Sequence, residues 1–245
     1  MGDKMAEHGG DAAAVAPPPT PAPTPAPAPI PTGDSLDGQR EQVTQCRRCV
    51  LCETRTNVVF GVGNPHAEVM LIGEAPGKNE DLGAEPFIGA AGKYLNSLLG
   101  LAGLKREELY IANVLKCRPP ENRDPRPEEI ETCAPFLRAQ VRTISPEILV
   151  TLGNFATRFI LKTDRGITGL RGQVHLAGRF SVLPIFHPAA AIYDRAKEPI
   201  MEDDFRLLGL LVAQRRRERA ERAKRAERAE RAGQVEQTER EKGGL

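Results

Sequence analysis

The stretch Glu68-Val-Met-Leu-Ile-Gly73 decides how this chain folds. It is a continuous apolar run of strand length that ends in glycine, and such runs are typical of strands covered on both faces. Runs of the same kind occupy residues 109–114, 147–153 and 181–186. The sequence therefore predicts four buried strands.

Segments with helical character lie between and after these runs, at residues 92–101, 127–141, 154–161 and 203–212. The second segment begins with Pro127, followed by Glu128 and Glu129, and these residues suit the first turn of a helix and the positive end of its dipole. Strands that alternate with helices predict an α/β fold with three layers, α/β/α, around a small central parallel sheet.

Residues suited to binding and catalysis follow each of the four runs. Gly73-Glu74 follows the first, Asn113 ends the second, Gly153-Asn154 follows the third and His187 follows the fourth. In open parallel sheets the ligand binds beyond the carboxyl ends of the strands. The sequence therefore predicts one active-site cleft to which all four strand ends contribute.

Both ends of the chain differ in composition from its middle. Residues 12–31 are almost entirely Ala, Pro and Thr. Such a segment buries too little apolar surface to offset its ordering entropy, so we expect residues 1–38 to be a disordered, Pro/Ala-rich segment. Residues 215–245 form a charged tail rich in Arg, Glu and Ala. Between them, residues 39–214 have the length of one domain.

Composition also bounds the class of protein. No apolar run approaches the ~20 residues of a membrane span, and the N-terminus lacks the basic start and apolar core of a secretory signal. We therefore expect a soluble, cytoplasmic monomer without a membrane partner. The net charge of +1 gives no argument for a nucleic-acid partner, so any basic surface must be local.

The chain has five cysteines: Cys46, Cys49, Cys52, Cys117 and Cys133. In an intracellular chain, clustered cysteines favour metal or redox chemistry over disulfides. Cys46 and Cys49 form a C-x-x-C pair that can bind a metal centre from a tight turn, and Cys117 and Cys133 can complete four thiolate ligands. This spacing fits both Zn²⁺ and a [4Fe–4S] cluster, while ordinary buried thiols are the plainer alternative. Cys52 receives no ligand role.

Several motifs occur in a fixed order along the chain. The first is Gly73-Glu-Ala-Pro-Gly77, with Glu80-Asp81 and Pro86-Phe-Ile-Gly89 behind it, and the last is His187-Pro-Ala-Ala-Ala191. Between them lie Asn113-Val-Leu-Lys-Cys-Arg-Pro-Pro120 and Gly166-Ile-Thr-Gly-Leu-Arg-Gly-Gln173. Together with the C-x-x-C pair, this set resembles the family 4 uracil-DNA glycosylases over residues 45–212.

The resemblance implies an enzyme that hydrolyses the N-glycosidic bond of deoxyuridine in single- or double-stranded DNA. Such an enzyme releases uracil and leaves an abasic site for base excision repair, acting in the cytoplasm on the nucleoid. The resemblance also implies a uracil-DNA glycosylase fold and a [4Fe–4S] cluster, rather than zinc, with Cys46, Cys49, Cys117 and Cys133 as ligands. It covers neither end of the chain.

Three residues are candidates for holding the uracil, which must leave the DNA stack to be reached. By its place in the motif, Phe87 is expected to stack on the ring. The amide of Asn113 offers an acceptor and donors that match O4 and N3–H of uracil but not the corresponding edge of cytosine, although relatives place such an asparagine elsewhere in the pocket as well. The resemblance assigns to His187 the stabilisation of negative charge on uracil O2 as the bond breaks.

Water activation is the least defined step. A carboxylate can orient the attacking water or stabilise the cationic sugar, and Glu74 is the first candidate, with Glu80 as the second. The better known glycosylase families carry Asp or Asn near the position of Ala75. Gly73, Gly77 and Gly89 let the backbone approach a ligand closely, and Gly73 and Ala75 are expected to contact the substrate.

Contacts to DNA are expected from four further features. The stretch 89–92 precedes a helix whose N-terminus would favour a phosphate. Lys116 and Arg171 are candidate phosphate contacts. The resemblance implies that the short loop 189–192 enters the duplex in place of the flipped base.

Two other classes of function compete with hydrolysis. One is a zinc-dependent hydrolase, which the lack of a His or carboxylate beside the C-x-x-C pair disfavours. The other is a DNA-binding relative that cross-links to the abasic product through an inserted basic loop with a reactive His. Here Arg171-Gly-Gln-Val-His175 has the uninterrupted form.

The charged tail permits two interpretations. Residues 215–231 carry nine basic and four acidic side chains, a net charge of +5, among alanines of high helical propensity. A basic arm of this kind strengthens nonspecific DNA binding. The alternative is a solvated helix that extends the last helix of the domain.

Overall fold

The computed structural model describes residues 35–242, with side chains as far as residue 228 and that of Glu230. The expected disordered segment therefore falls almost wholly outside the described residues. Helix α1 (Leu36–Thr44) begins the described part, and its N-cap Ser35 accepts a hydrogen bond from the N–H of Gly38. Within residues 35–242, no helix has the length and apolar character that crossing a membrane requires.

Six strands form one sheet. Their bounds are β1 (Val62–Gly63), β2 (Val69–Gly73), β3 (Tyr110–Asn113), β4 (Ile148–Leu152), β5 (His175–Ala177) and β6 (Phe180–Ile185). They lie in the order β1-β3-β2-β4-β6-β5. The four central strands are parallel, whereas β1 and β5 pair antiparallel at the two edges.

The remaining helices are α2 (Leu51–Thr54), α3 (Lys78–Gly83), α4 (Ala90–Leu101), α5 (Pro127–Ile144), α6 (Asn154–Leu161), α7 (Ala189–Tyr193) and α8 (Glu198–Lys242). They cover both faces of the sheet because the strand side chains alternate. Val69 and Leu71 face the core shared with α4 and α8, while Met70 and Ile72 face the core shared with α5 and α6. A third apolar cluster beside the sheet contains four of the five cysteines.

The predicted three-layer α/β/α class is confirmed, with four parallel strands where the four apolar runs predict them. The edge strands β1 and β5 were not predicted. They have two and three residues, and their side chains are half-buried or exposed, so neither carries a continuous apolar run. The central sheet is therefore mixed rather than wholly parallel.

The connections between strands place a crevice at the end of β2. From β2 the chain moves to β3 on one side, and later to β4 on the other side of β2. A reversal of this kind is a topological switch point, where open α/β sheets leave a cleft at the carboxyl ends of the strands. Gly73, the last residue of β2, pairs with Asn113, the last residue of β3, at this edge.

Helix α8 runs past the domain. Its first part buries Met201, Phe205 and Leu208 against the sheet, and from Ala213 onward its described side chains are exposed or half-buried. At the strand-start edge, Arg216 and Arg219 form ion pairs with Glu68. Residues 215–242 of the charged tail thus continue the last helix of the domain, and this helix leaves the body at the edge opposite the cleft.

Candidate active site

A cleft of about 330 Å³ lies at the carboxyl ends of the central strands. Six of the predicted site residues line it: Glu74, Ala75, Glu80, Phe87, Asn113 and His187. Gly73 lies directly behind the lining, since a side chain there would place Cβ 2.8 Å from Cζ of Phe87 and closer still to Oδ1 of Asn113. Three of the four predicted strand ends, those of β2, β3 and β6, therefore meet in one place together with the Phe87 loop. The prediction for the end of β4 is wrong, because Gly153 lies behind His187 and Oδ1 of Asn154 accepts a bond of 2.8 Å from the N–H of Ile167.

Phe87 is held in an unusual backbone conformation. Its φ is 55°, in the left-handed region that a bulky residue rarely adopts. The backbone around it fits tightly, because a Cβ on Gly92 would overlap the carbonyl group of Phe87. The ring is 6% exposed, and its centroid lies 5.5 Å from that of His187 at an interplanar angle of 32°. The fold thus holds a strained backbone in order to present this one aromatic face.

Asn113 presents an unpaired oxygen. The residue is 2% exposed, and Oδ1 has no hydrogen-bond partner among the described residues. A buried polar atom without a partner costs roughly 1–3 kcal/mol, so it indicates a group whose partner arrives with a ligand. The backbone carbonyl of Asn113 accepts a bond of 2.8 Å from the Nζ of Lys116, which anchors the residue from behind.

His187 is neutral near pH 7. Burial lowers the pKa of its imidazole to about 4, although the nearby charge of Glu80 acts to raise this pKa. The backbone N–H of Ala189 donates to Nδ1 over 3.2 Å. Because Nδ1 accepts this bond, the single proton of the neutral ring lies on Nε2, which makes Nε2–H a donor.

Glu74 is poised to exchange a proton near neutral pH. Burial raises the pKa of its carboxyl group to about 7, and the neighbouring charge of Asp124 acts in the same direction. A pKa near the working pH is the property that general acid–base catalysis requires. Glu74 therefore has the titration behaviour expected of a group that activates water.

Glu80 is engaged with the backbone. Its Oε1 accepts hydrogen bonds from the N–H groups of Ile88 at 3.1 Å and Gly89 at 2.9 Å. These amides directly follow Phe87, so the carboxylate fastens the loop that carries the aromatic ring. The contacts give Glu80 a positioning role beside its place in the cleft wall.

Sequence reasoning missed part of the wall. Asn122 and Arg123 also line the cleft, together with Pro76, Gly77, Ala91, Pro119 and Ala189. Asn122 has a φ of 56° and accepts a bond of 2.7 Å from Nε of Arg118, while Arg123 pairs with the buried Glu129. The signal was present, because these two residues lie just beyond the motif that ends at Pro120, separated from it only by Glu121.

Two expected phosphate contacts take other positions. The Lys116 expectation is wrong, because the side chain is completely buried and its Nζ donates to the Asn113 carbonyl and to Oε1 of Gln140. Arg171 forms an ion pair with the buried Asp204. The segment 189–192 belongs to the short helix α7, on which Ile192 and Tyr193 are exposed.

The four predicted ligand cysteines share one apolar cluster. Cys117 and Cys133 are buried in it, and Cys46 and Cys49 pack against it together with Ala75, which also lines the cleft. Nη1 of Arg55 donates to Sγ of Cys117 over 3.1 Å, and the backbone N–H of Lys116 donates to Sγ of Cys133 over 3.3 Å. The cysteine region therefore borders the cleft.

The charges around these thiols suit an anionic group. Nε and Nη2 of Arg48, within the C-x-x-C turn, are buried and have no hydrogen-bond partner among the described residues, although the guanidinium lies over the ring of Phe136. Arg55 and the ammonium of Lys116 lie beside the sulfurs. Burial raises the pKa of the Cys117 thiol to about 11 and that of Cys133 to about 12. These raised pKa values mean that burial disfavours the charged thiolate. A bound metal offsets this penalty, because it binds the thiolate form.

The sulfurs do not form a site for a single ion. In the part of the chain from 35 to 242, no group of three or more His, Cys, Asp or Glu side chains could hold a metal ion. An iron–sulfur cluster makes a different demand, since each of its four thiolates binds its own iron atom. Four cysteines with cations beside their sulfurs are a donor set that an iron–sulfur cluster can use.

Comparison with known proteins agrees with this geometry. Residues 60–207 match the model of the uracil DNA glycosylase superfamily. A type-4 uracil-DNA glycosylase of Archaeoglobus fulgidus is 45% identical over 190 residues, which cover 74% of this chain and 96% of the relative. Type-4 enzymes of Sulfurisphaera tokodaii and Thermotoga maritima are 44% and 43% identical, over 71% and 64% of this chain and 83% of each relative.

The fold and cleft are those of the uracil-DNA glycosylase superfamily. Within that class, the extent and identity of the matches show that the chain belongs to the type-4 uracil-DNA glycosylase family. The resemblance seen in the sequence motifs is thus confirmed.

Proposed function

We propose that the chain hydrolyses the N-glycosidic bond of deoxyuridine in DNA, releasing uracil and leaving an abasic site for base excision repair. The observation that carries this proposal is the buried, unpaired Oδ1 of Asn113 beside the ring of Phe87 and the neutral imidazole of His187. Such a site offers one aromatic face, one acceptor and one neutral donor. Family membership supports the same activity.

Base recognition uses the first two of these groups. A uracil flipped out of the duplex would enter the cleft and stack on Phe87. The Oδ1 of Asn113 would then accept from uracil N3–H, and its amide NH₂ would donate to O4. Cytosine has no hydrogen on N3 and carries an amine in place of O4, so it would leave Oδ1 unpaired and is rejected.

Bond cleavage places negative charge on the base. As the bond between C1′ and N1 breaks, its electron pair passes to uracil and collects on O2. Nε2–H of His187 donates to this oxygen and stabilises the departing anion more than the intact nucleotide. A neutral donor suits this task, because a buried imidazolium would carry a desolvation penalty in the resting enzyme.

Water completes the reaction at C1′. The carboxylate of Glu74 takes a proton from the water as its oxygen bonds to C1′, and the uracil anion later receives a proton from solvent. Glu80 holds the loop of Phe87 in place meanwhile. Glu74 is therefore the proposed base, and Glu80 a positioning residue.

Cys46, Cys49, Cys117 and Cys133 are the proposed ligands of a [4Fe–4S] cluster. When bound, the cluster would supply a rigid link between the N-terminal segment and the loops behind the cleft. The residues beside it already connect the two regions, since Arg55 donates to the backbone carbonyl of Cys46 and to Sγ of Cys117. The chain would act on uracil-containing DNA in the cytoplasm as a monomer.

The cross-linking alternative receives no support from the region before β6. His175 lies in the edge strand β5, and its Nε2 is 3.2 Å from the carbonyl oxygen of Leu170. The side chain is thus engaged with the backbone, and it is absent from the cleft lining. Hydrolysis remains the function that the cleft residues serve.

The direct test is incubation of the purified protein with an oligonucleotide that contains one uracil, followed by alkali to cleave abasic sites. We expect cleavage at the uracil and none in a matched oligonucleotide with thymine or cytosine at that position. A folded, iron-containing preparation that leaves the uracil strand intact would disprove the proposal.

A further inference from the structure

A second concave surface lies between α5, α6 and the hairpin of β5 and β6, with a volume of about 320 Å³. We name it the distal groove. Its floor is formed by apolar side chains, among them Leu137, Val141, Phe159, Ile160 and Phe180. Phe159 and Phe180 are half-buried, so part of each ring faces the groove. The distal groove thus offers an apolar binding surface that no described residue covers.

The rim of the distal groove is basic. Arg138, Arg142 and Lys162 line it and are exposed. The guanidinium of Arg138 lies 5.7 Å from the ring centroid of Phe159, and that of Arg179 lies 4.9 Å from the centroid of Phe180. A guanidinium over an aromatic ring keeps its charge available to a partner.

These cations are not neutralised from within. Of the residues that the structure describes, no acidic one lines the distal groove. Among residues 35–228, Arg138, Arg142 and Lys162 form no ion pair, and Arg179 donates only to the hydroxyl of Ser145. The rim therefore presents unpaired positive charge beside apolar surface.

The distal groove lies at the opposite edge of the sheet from the cleft. Leu149 is near the start of β4 and Phe180 begins β6, whereas Gly73 and Asn113 end their strands in the cleft. An occupant of the distal groove would not compete with DNA for the uracil site. Any role of this surface is therefore separate from excision itself.

We infer that the distal groove docks an acidic peptide segment of another protein, one that carries an aromatic or large aliphatic anchor beside several carboxylates. The anchor would bury against Phe159 and Phe180, and the carboxylates would pair with the rim cations. DNA fits less well, because a phosphate backbone has no apolar group to seat on the floor. Residues 1–34 of this chain contain no Phe, Trp or Tyr, and their Ile30 has a single carboxylate near it, Asp34, so they do not combine an anchor with several carboxylates.

The test uses a fluorescently labelled ten-residue peptide with five Asp residues and a Phe-Leu-Phe end, bound to the full-length protein and followed by anisotropy. The double variant Arg138→Glu/Arg142→Glu should weaken binding about tenfold or more. The matched control is Arg217→Glu, an exposed arginine on α8 away from the distal groove, which should leave affinity unchanged. The single variant Arg142→Glu, whose side chain makes no ion pair, should show a smaller loss in the same direction.

The anchor and the occupant are tested with the same assay. A peptide with Ser in place of the three apolar residues should bind about tenfold more weakly. A synthetic peptide of residues 12–34 and a uracil-free oligonucleotide should each fail to displace the labelled peptide. Excision by Arg138→Glu/Arg142→Glu should match wild type, which shows that the variant folds. The inference is overturned if the wild-type protein does not bind the peptide, if the Ser peptide binds equally well, or if either competitor displaces it.

Discussion

The backbone N–H of Ala189 donates to Nδ1 of His187 over 3.2 Å, and this bond assigns the proton of the neutral ring to Nε2. The proline between them helps, since Pro188 begins the turn that brings the amide of Ala189 back toward the imidazole. Burial lowers the pKa of the same ring to about 4. His187 is thus prepared as a neutral donor before any substrate arrives.

Replacing His187 by Ala should lower the single-turnover rate of uracil release by roughly two to three orders of magnitude, the loss typical of one donor to a developing anion. DNA affinity should change little, because the contact strengthens only as charge develops on O2. Rapid-quench kinetics at saturating enzyme measures the rate. The variant His187→Gln keeps a donor and should recover part of it; near wild-type release by His187→Ala would remove this residue from the mechanism.

The excision rate should rise with pH through about 7, where Glu74 loses its proton. Only the carboxylate form accepts a proton from water, so the rate falls below pH 7 and levels off above it. His187 is already neutral above about pH 4, so its titration does not change the excision rate between pH 5 and 9. Single-turnover rates across this range give the profile. The variant Glu74→Gln should excise uracil slowly, at a rate that does not change with pH. The variant Asp124→Asn should move the midpoint of the pH–rate profile to lower pH, because it removes a charge that raises the pKa of Glu74.

The same carboxyl group predicts a pH-dependent stability. Its folded pKa is raised above the unfolded value, so the stability that it contributes is complete below about 4.5 and is lost as pH rises through about 7. The variant Glu74→Gln carries no charge to bury. Its melting temperature should therefore exceed that of wild type at pH 8 and match it at pH 5. Equal differences at both pH values would contradict the burial of Glu74.

The sequence alone predicts those parts of the fold that depend on continuous apolar runs. Strands β2, β3, β4 and β6 each bury nearly all of their side chains, so each run is visible without pairing information. Strand β5 is different, because Leu176 is exposed and its partners in the strand are half-buried. Its place in the sheet comes from pairing with β6 across a tight turn, which is a tertiary contact rather than a local pattern.

The site was predictable where motif and strand end coincide, as for Asn113 and His187. Lys116 shows the limit of that approach. A lysine beside a DNA-binding motif suggests a phosphate contact. The ammonium of Lys116 instead donates hydrogen bonds to the Asn113 carbonyl and to Oε1 of Gln140, 24 residues later. Only the packing of α5 against β3 brings that glutamine into reach. A long-range partner of this kind leaves no trace in the local sequence.

Gly73→Ala should block the uracil pocket while the protein stays folded. The added Cβ would lie 2.8 Å from the ring of Phe87 and would press on Oδ1 of Asn113, so the two base-binding groups cannot keep their positions. We expect kcat/KM on uracil DNA to fall by about a hundredfold or more. The control is Gly100→Ala in α4, where nothing lies within 4 Å of the new methyl group. That variant should keep its activity and gain up to ~1 kcal/mol of stability from helix propensity.

Removing one proposed cluster ligand should bleach the protein. Cys117→Ala or Cys133→Ala should lose the visible absorbance near ~400 nm that a thiolate-bound iron–sulfur cluster gives, together with bound iron, and should melt at lower temperature. Cys52→Ala is the matched control, since this half-buried cysteine lies outside the proposed set and its backbone N–H donates to the carbonyl of Cys49. Iron content, spectra and melting curves provide the measurements. A bleached Cys52→Ala beside a coloured Cys133→Ala would show that the ligand set is wrong.

Neutralising the exposed basic residues of the helix extension should weaken binding to a long DNA duplex and leave binding to a short duplex unchanged. Arg217, Lys224, Arg225 and Arg228 are exposed on the part of α8 that leaves the body at the strand-start edge, away from the cleft. Replacing all four by Gln keeps the ion pairs of Arg216 and Arg219 with Glu68, so the helix stays anchored.

On a duplex too short to reach the strand-start edge, DNA binding and uracil excision by this variant should match wild type. On a duplex several helical turns longer, the slope of log affinity against log salt should become shallower by about 0.9 for each phosphate that the variant no longer neutralises. Equal slopes on the long duplex would leave the extension as a solvated helix with no part in DNA binding.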